Sequence, residues 1–349
     1  MIIHNARLRG RDGLHRITLD GERIAAIDVQ HTLHSIAEGD LDAAGNLVVP
    51  PFVEPHIHLD ATLTAGEPAW NMSGTLFEGI ECWGERKATI TPEDTKARAK
   101  KTIDALARHG IQHVRTHVDV TDPQLTALKA MLEVREESRH LIDLQIVAFP
   151  QEGIESYHNG RELMTEAIAL GADVVGGIPY NDVSPLEHID FVFDLAKRYG
   201  KDIDLHQDFA DDAEHMTIEY VARRTIAEGY HGRVCVGHLT SLAATSPARR
   251  AQVIALLREA DISVMCLPAT DLHLGARGHV DAQRERLGGE DHLDQALLEQ
   301  LLDQLRRGLA TRAVAHVDAA VFDVQRTRVG LLHVNVPGPQ EHQPGAPRN

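Results

Sequence analysis

The chain has 349 residues, 43% of them hydrophobic and 25% charged, a balance ordinary for a soluble globular protein large enough to bury a substantial core. A formal net charge of -17 opposes binding to polyanions, so no nucleic-acid partner is expected and a small neutral or cationic molecule is the easier substrate. No run approaches the roughly 20 apolar residues that span a bilayer, and Met1-Ile2-Ile3-His4-Asn5-Ala6-Arg7 lacks the order of a signal peptide, so a cytoplasmic protein without a membrane partner is expected.

Residues 1–48 alternate apolar and polar positions between the turn signals Arg11-Asp12-Gly13 and Asp20-Gly21-Glu22, with Ile17, Leu19, Ile24, Ala26 and Ile27 as strand positions. An N-terminal β unit is predicted there. From 49 to 325, short β-rich runs alternate with longer helical patterns, which places strands near 52–58, 111–119, 142–149, 173–178, 202–206, 233–238 and 261–267. Seven such strands predict an α/β fold, a (β/α)8 TIM-like barrel short of its last member, with a doubly wound sheet as the alternative.

Between the strands, Thr91-Pro92-Glu93-Asp94 opens a helix with a cap, a proline in the first turn and acidic residues, and Gly110 closes it. Residues 61–90 are too long for a plain strand-to-helix turn and make a candidate lid at the barrel mouth, with Trp70 and Phe77 as lid or core packing groups. Cys82, Cys235 and Cys266 stand in no paired spacing and are expected to be buried, reduced packing residues.

Beyond about 270 the composition changes: no Lys occurs after Lys201, no Ile after Ile262, no Ser after Ser263 and no Met after Met265. An altered reading frame in the coding end would account for the shift. Within this stretch 293–309 reads as an amphipathic helix, 312–318 as a strand, and 326–349 as an irregular tail.

Four of the predicted strands carry histidine at or near their C-terminal ends. His56 and His58 are two residues apart, so on a strand both imidazoles face the same way and can share one divalent ion. His117 with Asp119, Gln151, His206 and His238 follow at the ends of later apolar runs, where active sites of barrels lie. His117 and Asp119 read as supporting or strand-packing groups.

Residues 50–60, Thr64-Ala65-Gly66, Trp70-Asn71, residues 73–80, residues 111–120 and the run Ala148-Phe149-Pro150-Gln151-Glu152-Gly153 resemble bacterial cytosine deaminase, of the amidohydrolase superfamily. The resemblance is good from about 48 to 180 and patchier to about 278. It implies a (β/α)8 barrel beside a small β-sandwich, with His56, His58 and His206 holding one Fe2+ or Zn2+ together with a strand-eight aspartate. It further implies that metal-bound hydroxide attacks a cyclic amidine, that His238 assists the hydroxide, and that Gln151 hydrogen-bonds the ring carbonyl and nitrogen. With no lysine between Lys129 and Lys197, a carbamylated lysine bridge has no candidate on strand four, and a mononuclear site is favoured. Homo-oligomerisation is expected from the resemblance alone.

Two positions depart from the family pattern. Where the family places a proton-shuttling glutamate, three residues after the strand-five histidine, this chain has Phe209, which leaves Asp208, or Asp211 or Asp212, as the candidate acid–base group. For the strand-eight aspartate the candidate is Asp318, with His316 and Asp323 as alternatives. The leading expectation is therefore a metal-dependent aminohydrolase acting on a cytosine-like pyrimidine or an aminated triazine. The alternatives are a non-catalytic metal- or ligand-binding remnant of the barrel and a structural protein without metal.

Overall fold

A computed structural model of the chain describes residues 1–32, 36–210 and 212–274. The expectations for 293–309, 312–318, the tail 326–349, Asp211, and the ligand candidates Asp318, His316 and Asp323 lie outside the described residues.

Two compact units result, the first formed among the described residues by Met1–Phe52 and Arg108–Gly110. It is a five-stranded sheet of β1 (Ile2–Leu8), β2 (Leu14–Asp20), β3 (Arg23–Gln30), β4 (Leu41–Asp42) and β5 (Leu47–Val48), in the order β3-β2-β1-β4 with β5 paired to β1. Asp20 pairs with Arg23 across a two-residue turn whose Gly21 has φ +57, a conformation that glycine adopts without a Cβ clash. Alternating residues of β2, Ile17 and Leu19, join Ile3 and Ala6, which flank a register shift in β1, and Ala43 in a small core.

The second unit is a (β/α) barrel with seven strands among the described residues, laid out in chain order. These are β6 (Phe52–Ile57), β7 (Ile111–Asp119), β8 (Asp143–Phe149), β9 (Val174–Gly177), β10 (Asp202–Gln207), β11 (Val234–His238) and β12 (Ser263–Met265). Every pairing from β7 to β12 is parallel, as helical crossovers require. The helices are α1 (Leu76–Lys87), α2 (Pro92–Arg108), α3 (Thr126–Ser138), α4 (Gly160–Leu170), α5 (Pro185–Tyr199), α6 (Ile218–Ala227), α7 (Pro247–Glu259) and α8 (Pro268–Leu274). Their apolar faces bury Ile103, Leu128, Met131, Met164, Ile189, Val192 and Phe193 against Val114, Ile146, Val175, Ile203 and Val236 of the strands. No helix among the described residues is long and apolar enough to cross a membrane.

Local chemistry sets the helix starts. Thr91 Oγ1 accepts the Asp94 amide at 3.2 Å, Pro92 occupies the first turn of α2, and Ser246 accepts the Arg249 amide ahead of Pro247 in α7. The cysteine expectation needs correction, and two others gain detail. Part of 61–90 is the helix α1, capped by Thr75, because Leu76 to Lys87 carries no helix breaker apart from two glycines. Trp70 and Phe77 are 65% and 57% exposed, so neither is a core group. Of the cysteines only Cys235 is buried; Cys82 is half-buried and Cys266 exposed.

Candidate active site

The C-terminal ends of the barrel strands converge on a cavity of about 400 Å³. His56, His58, His206 and His238 line it together with Asp60, Asp119, Gln151 and Tyr180, and α1 closes one side with Leu76, Ile80 and Trp83. Alternation at the end of β6 puts His56 and His58, the residue just past the strand, on the same side, and the parallel register sets His206 beside Gly237 and Gln207 beside His238. Gly237 lacks a Cβ where one would meet the His56 ring at 3.2 Å, which lets that imidazole lie against β11.

The imidazoles are in mutual contact. His58 Nε2 lies 3.2 Å from His206 Nε2, and the His56 ring is centred 4.5 Å from His206 and 5.2 Å from His238. Two sets of three nitrogens fall within 4.8 Å of one another: His56, His58 and His117, and His56, His206 and His238. His117 is therefore closer to the centre than the sequence placed it. Its Nε2 contacts Asp204 Oδ1 at 3.1 Å, and Asp204 also accepts from Arg115 Nη1 at 2.6 Å. Burial alone would raise the Asp204 carboxyl, but His117 and Arg115 outweigh it and hold it below the usual range.

Burial and neighbouring imidazoles lower the affinity of this cluster for protons, His58 to about 3 and His56 and His206 well below the ordinary value. All three rings are neutral near pH 7, the form that ligates a metal. The buried Nδ1 atoms of His117 and His206 have no hydrogen-bond partner. Converging neutral imidazoles with unpartnered nitrogens fit a divalent ion such as zinc or iron.

The other wall is held by carboxylates. Asp119 Oδ2 accepts from Trp83 Nε1 at 2.8 Å and from Lys87 Nζ at 3.0 Å, and the same ammonium reaches Thr121 and Glu152, so α1 is pinned to the ends of β7 and β8. Burial works against the Lys87 charge, yet Asp119 and Glu152 raise its pKa above the ordinary value. Asp60 is buried with Oδ2 on the Asp119 amide and Oδ1 unpartnered, and burial pushes its carboxyl up to about 7.

Gln151 sits on the cavity wall after β8, its carbonyl accepting from Asn181 Nδ2 at 2.9 Å. Asp208 is not among the cavity-lining residues. Its carboxylate accepts the amides of Thr217 and Ile218 at the start of α6 and also bonds Gln207 and Thr217 side chains, so it caps a helix rather than facing the site. Asp212 is exposed. A carboxylate that spacing did not mark meets the histidine cluster: Asp271 of α8, whose Oδ1 lies 2.7 Å from His238 Nδ1.

The sequence profile of the amidohydrolase family, Amidohydro_3, matches residues 41–288, more than half of the chain. N-isopropylammelide isopropyl amidohydrolase of Pseudomonas sp. (strain ADP) is 33% identical over 278 residues, covering 77% of this chain and 68% of that protein. Pterin deaminase of Rhizobium rhizogenes is 30% identical over 239 residues, covering 68% of this chain and 54% of its own length. Among solved structures, 5-methylcytosine deaminase from Klebsiella pneumoniae liganded with 5-fluorocytosine has 51% sequence identity and a TM-score of 0.76, over 78% of this chain and 67% of that one.

Proposed function

Because this chain belongs to the amidohydrolase family, whose enzymes hydrolyse C–N bonds, we propose that it removes the exocyclic amine of a small cyclic amidine and releases ammonia. The observation that carries the reading is the convergence of His56, His58, His206 and His238 in one cavity with Gln151 on its wall. A cytosine-like pyrimidine is favoured over an aminated triazine. Identity to the 5-methylcytosine deaminase exceeds that to the ammelide enzyme, 51% against 33%, and the apolar Leu76, Ile80, Leu267 and Leu274 leave room for a small ring substituent.

His56, His58 and His206 would hold the divalent ion. When bound, it supplies Lewis acidity that makes hydroxide available from water near neutral pH. Gln151 presents an amide that can donate to a ring carbonyl and accept from a ring N–H, which orients the amidine carbon toward the histidines. His238 accepts a proton from the attacking water and returns it to the departing nitrogen. Trp83, fixed through Asp119, and Ile80 exclude bulk water from the side of α1.

Elemental analysis of the purified protein, with ammonia release measured in the same preparation on cytosine, 5-methylcytosine and aminotriazines, tests this reading. About one iron or zinc per chain with ammonia release supports it; absence of metal overturns the site. Phe209 favours one second reading, a metal-binding remnant of the barrel, because a phenyl ring moves no protons. Metal without turnover on any of these rings would select that remnant.

A further inference from the structure

We propose that Asp271 is a positioning residue for His238, holding the imidazole with its proton on Nδ1 so that Nε2 is left as the acceptor beside His56 and His206. The proposal rests on the hydrolase reading above for its catalytic consequence, though the geometry stands by itself. His238 Nδ1 and Asp271 Oδ1 are 2.7 Å apart, with side chains 7% and 14% exposed. A carboxylate only accepts, so the nitrogen that meets it is the protonated one, and a neutral imidazole then has a lone pair on the other. The second carboxylate oxygen, Oδ2, accepts the Leu267 amide at 3.3 Å, which ties Asp271 to the segment leaving β12.

Backbone geometry points the same way. His238 and Leu239 have φ of +70 and +55, two successive non-glycine residues in the left-handed region, where a Cβ is strained. The Leu239 amide bonds the Gln207 carbonyl at 2.9 Å, so the strained corner is held by the neighbouring strand β10. Such strain persists where the surrounding contacts over-determine it, and here it turns the end of β11 so that His238 meets both the cavity and Asp271. Phe209 packs edge-on against the same ring and offers it no hydrogen bond. Among the described residues no side chain other than Asp271 hydrogen-bonds this imidazole.

In the reaction a proton of water passes to His238 Nε2 as the oxygen bonds the amidine carbon; the C–N bond then breaks, and the proton leaves with the nitrogen as ammonia. Asp271 keeps its hydrogen bond to Nδ1 throughout and so stabilises the positive charge that the ring carries between these steps.

The test compares the full chain with Asp271→Leu, which has no acceptor, and Asp271→Asn, whose amide, with its oxygen on the Leu267 N–H, turns its NH2 toward Nδ1. Histidine side chains labelled with 15N report the tautomer, and His238→Asn assigns the signals. The expected result is an Nδ1–H tautomer in the parent that is lost in both variants. Alongside it, kcat should fall roughly 100-fold in each, with KM within about threefold. An unchanged tautomer in a folded Asp271→Leu, or a shifted tautomer with parental kcat, overturns the proposal. If Asp271→Leu does not fold, Asp271→Asn decides: a lower kcat at parental KM supports the positioning role and parental kcat ends it. Absence of ammonia release from the parent chain refutes the hydrolase reading instead, and the tautomer comparison then still decides the geometry.

Discussion

The Phe209 ring meets the His238 ring edge-on, with centroids 5.1 Å apart and planes 88° apart. A packing group thus stands beside the candidate general base where the cytosine deaminase pattern has an acid. Phe209 also faces Tyr180 at 6.4 Å and is only 7% exposed. Phe209→Leu should therefore lower stability by about 1 kcal/mol while leaving kcat within a few-fold, since no proton passes through the ring. Thermal denaturation and steady-state ammonia release check this; a 100-fold loss of kcat with intact folding would refute the packing role.

The buried histidine cluster predicts dependence on a divalent ion. Prolonged chelation should abolish ammonia release, and Zn2+ or Fe2+ should restore it. His206→Ala removes a ring 3.2 Å from His58 Nε2 and should reduce bound metal at least tenfold, read by elemental analysis of the folded variant. Full metal content in that variant would place the ion elsewhere.

Gln151, proposed to contact the ring, lies on a loop whose backbone carbonyl Asn181 holds. Gln151→Ala should cost about 2 kcal/mol of substrate binding, roughly 30-fold in kcat/KM. Its melting temperature should stay close to the parent's. A parental kcat/KM on the preferred ring would mean that Gln151 does not touch substrate.

After β9, Asp182 and His188 tie the segments following β8 and β9 together. His188 Nδ1 donates to Asp182 Oδ2 at 2.6 Å while its Nε2 accepts the Ile178 amide at 3.0 Å, and Asp182 also accepts the amides of Ile154, Glu155 and Ser156. Burial alone would raise the Asp182 carboxyl, but His188 and these amides outweigh it, so its folded pKa lies below the unfolded one. Burial also lowers His188, whose partner charge opposes this only in part. Both folded values lie below the unfolded ones, so both contributions are present at neutral pH. The histidine contribution is lost as pH falls below about 6.5 and the carboxylate contribution as it falls below about 4. Asp182→Ala should cost about 3 kcal/mol at pH 7 and flatten the acid limb of the stability curve, measured by urea unfolding between pH 3 and 8. An acid limb identical to the parent's would remove Asp182 from that account.

Chain order, strand placement and the strand-end histidines were legible in the sequence, because each depends on local periodicity: β7 at Ile111–Asp119 and β8 at Asp143–Phe149 lie within a residue of the pattern read from spacing. The alternation that sets Val114, Thr116 and Val118 on one face of β7 also makes His56 and His58 neighbours, whatever the rest of the chain does. What only the tertiary structure decided are contacts between distant segments. Asp208 looks like an acid next to the site until α6 takes both its oxygens, and His117 looks like strand packing until the closing barrel brings it against His56. Asp271 looks like an ordinary helix residue until it meets His238, 33 positions earlier. Sequence spacing records what lies along one strand or helix turn. Which carboxylate meets which imidazole is set by strand register, by strained corners such as that at His238, and by the packing of loops across the barrel mouth.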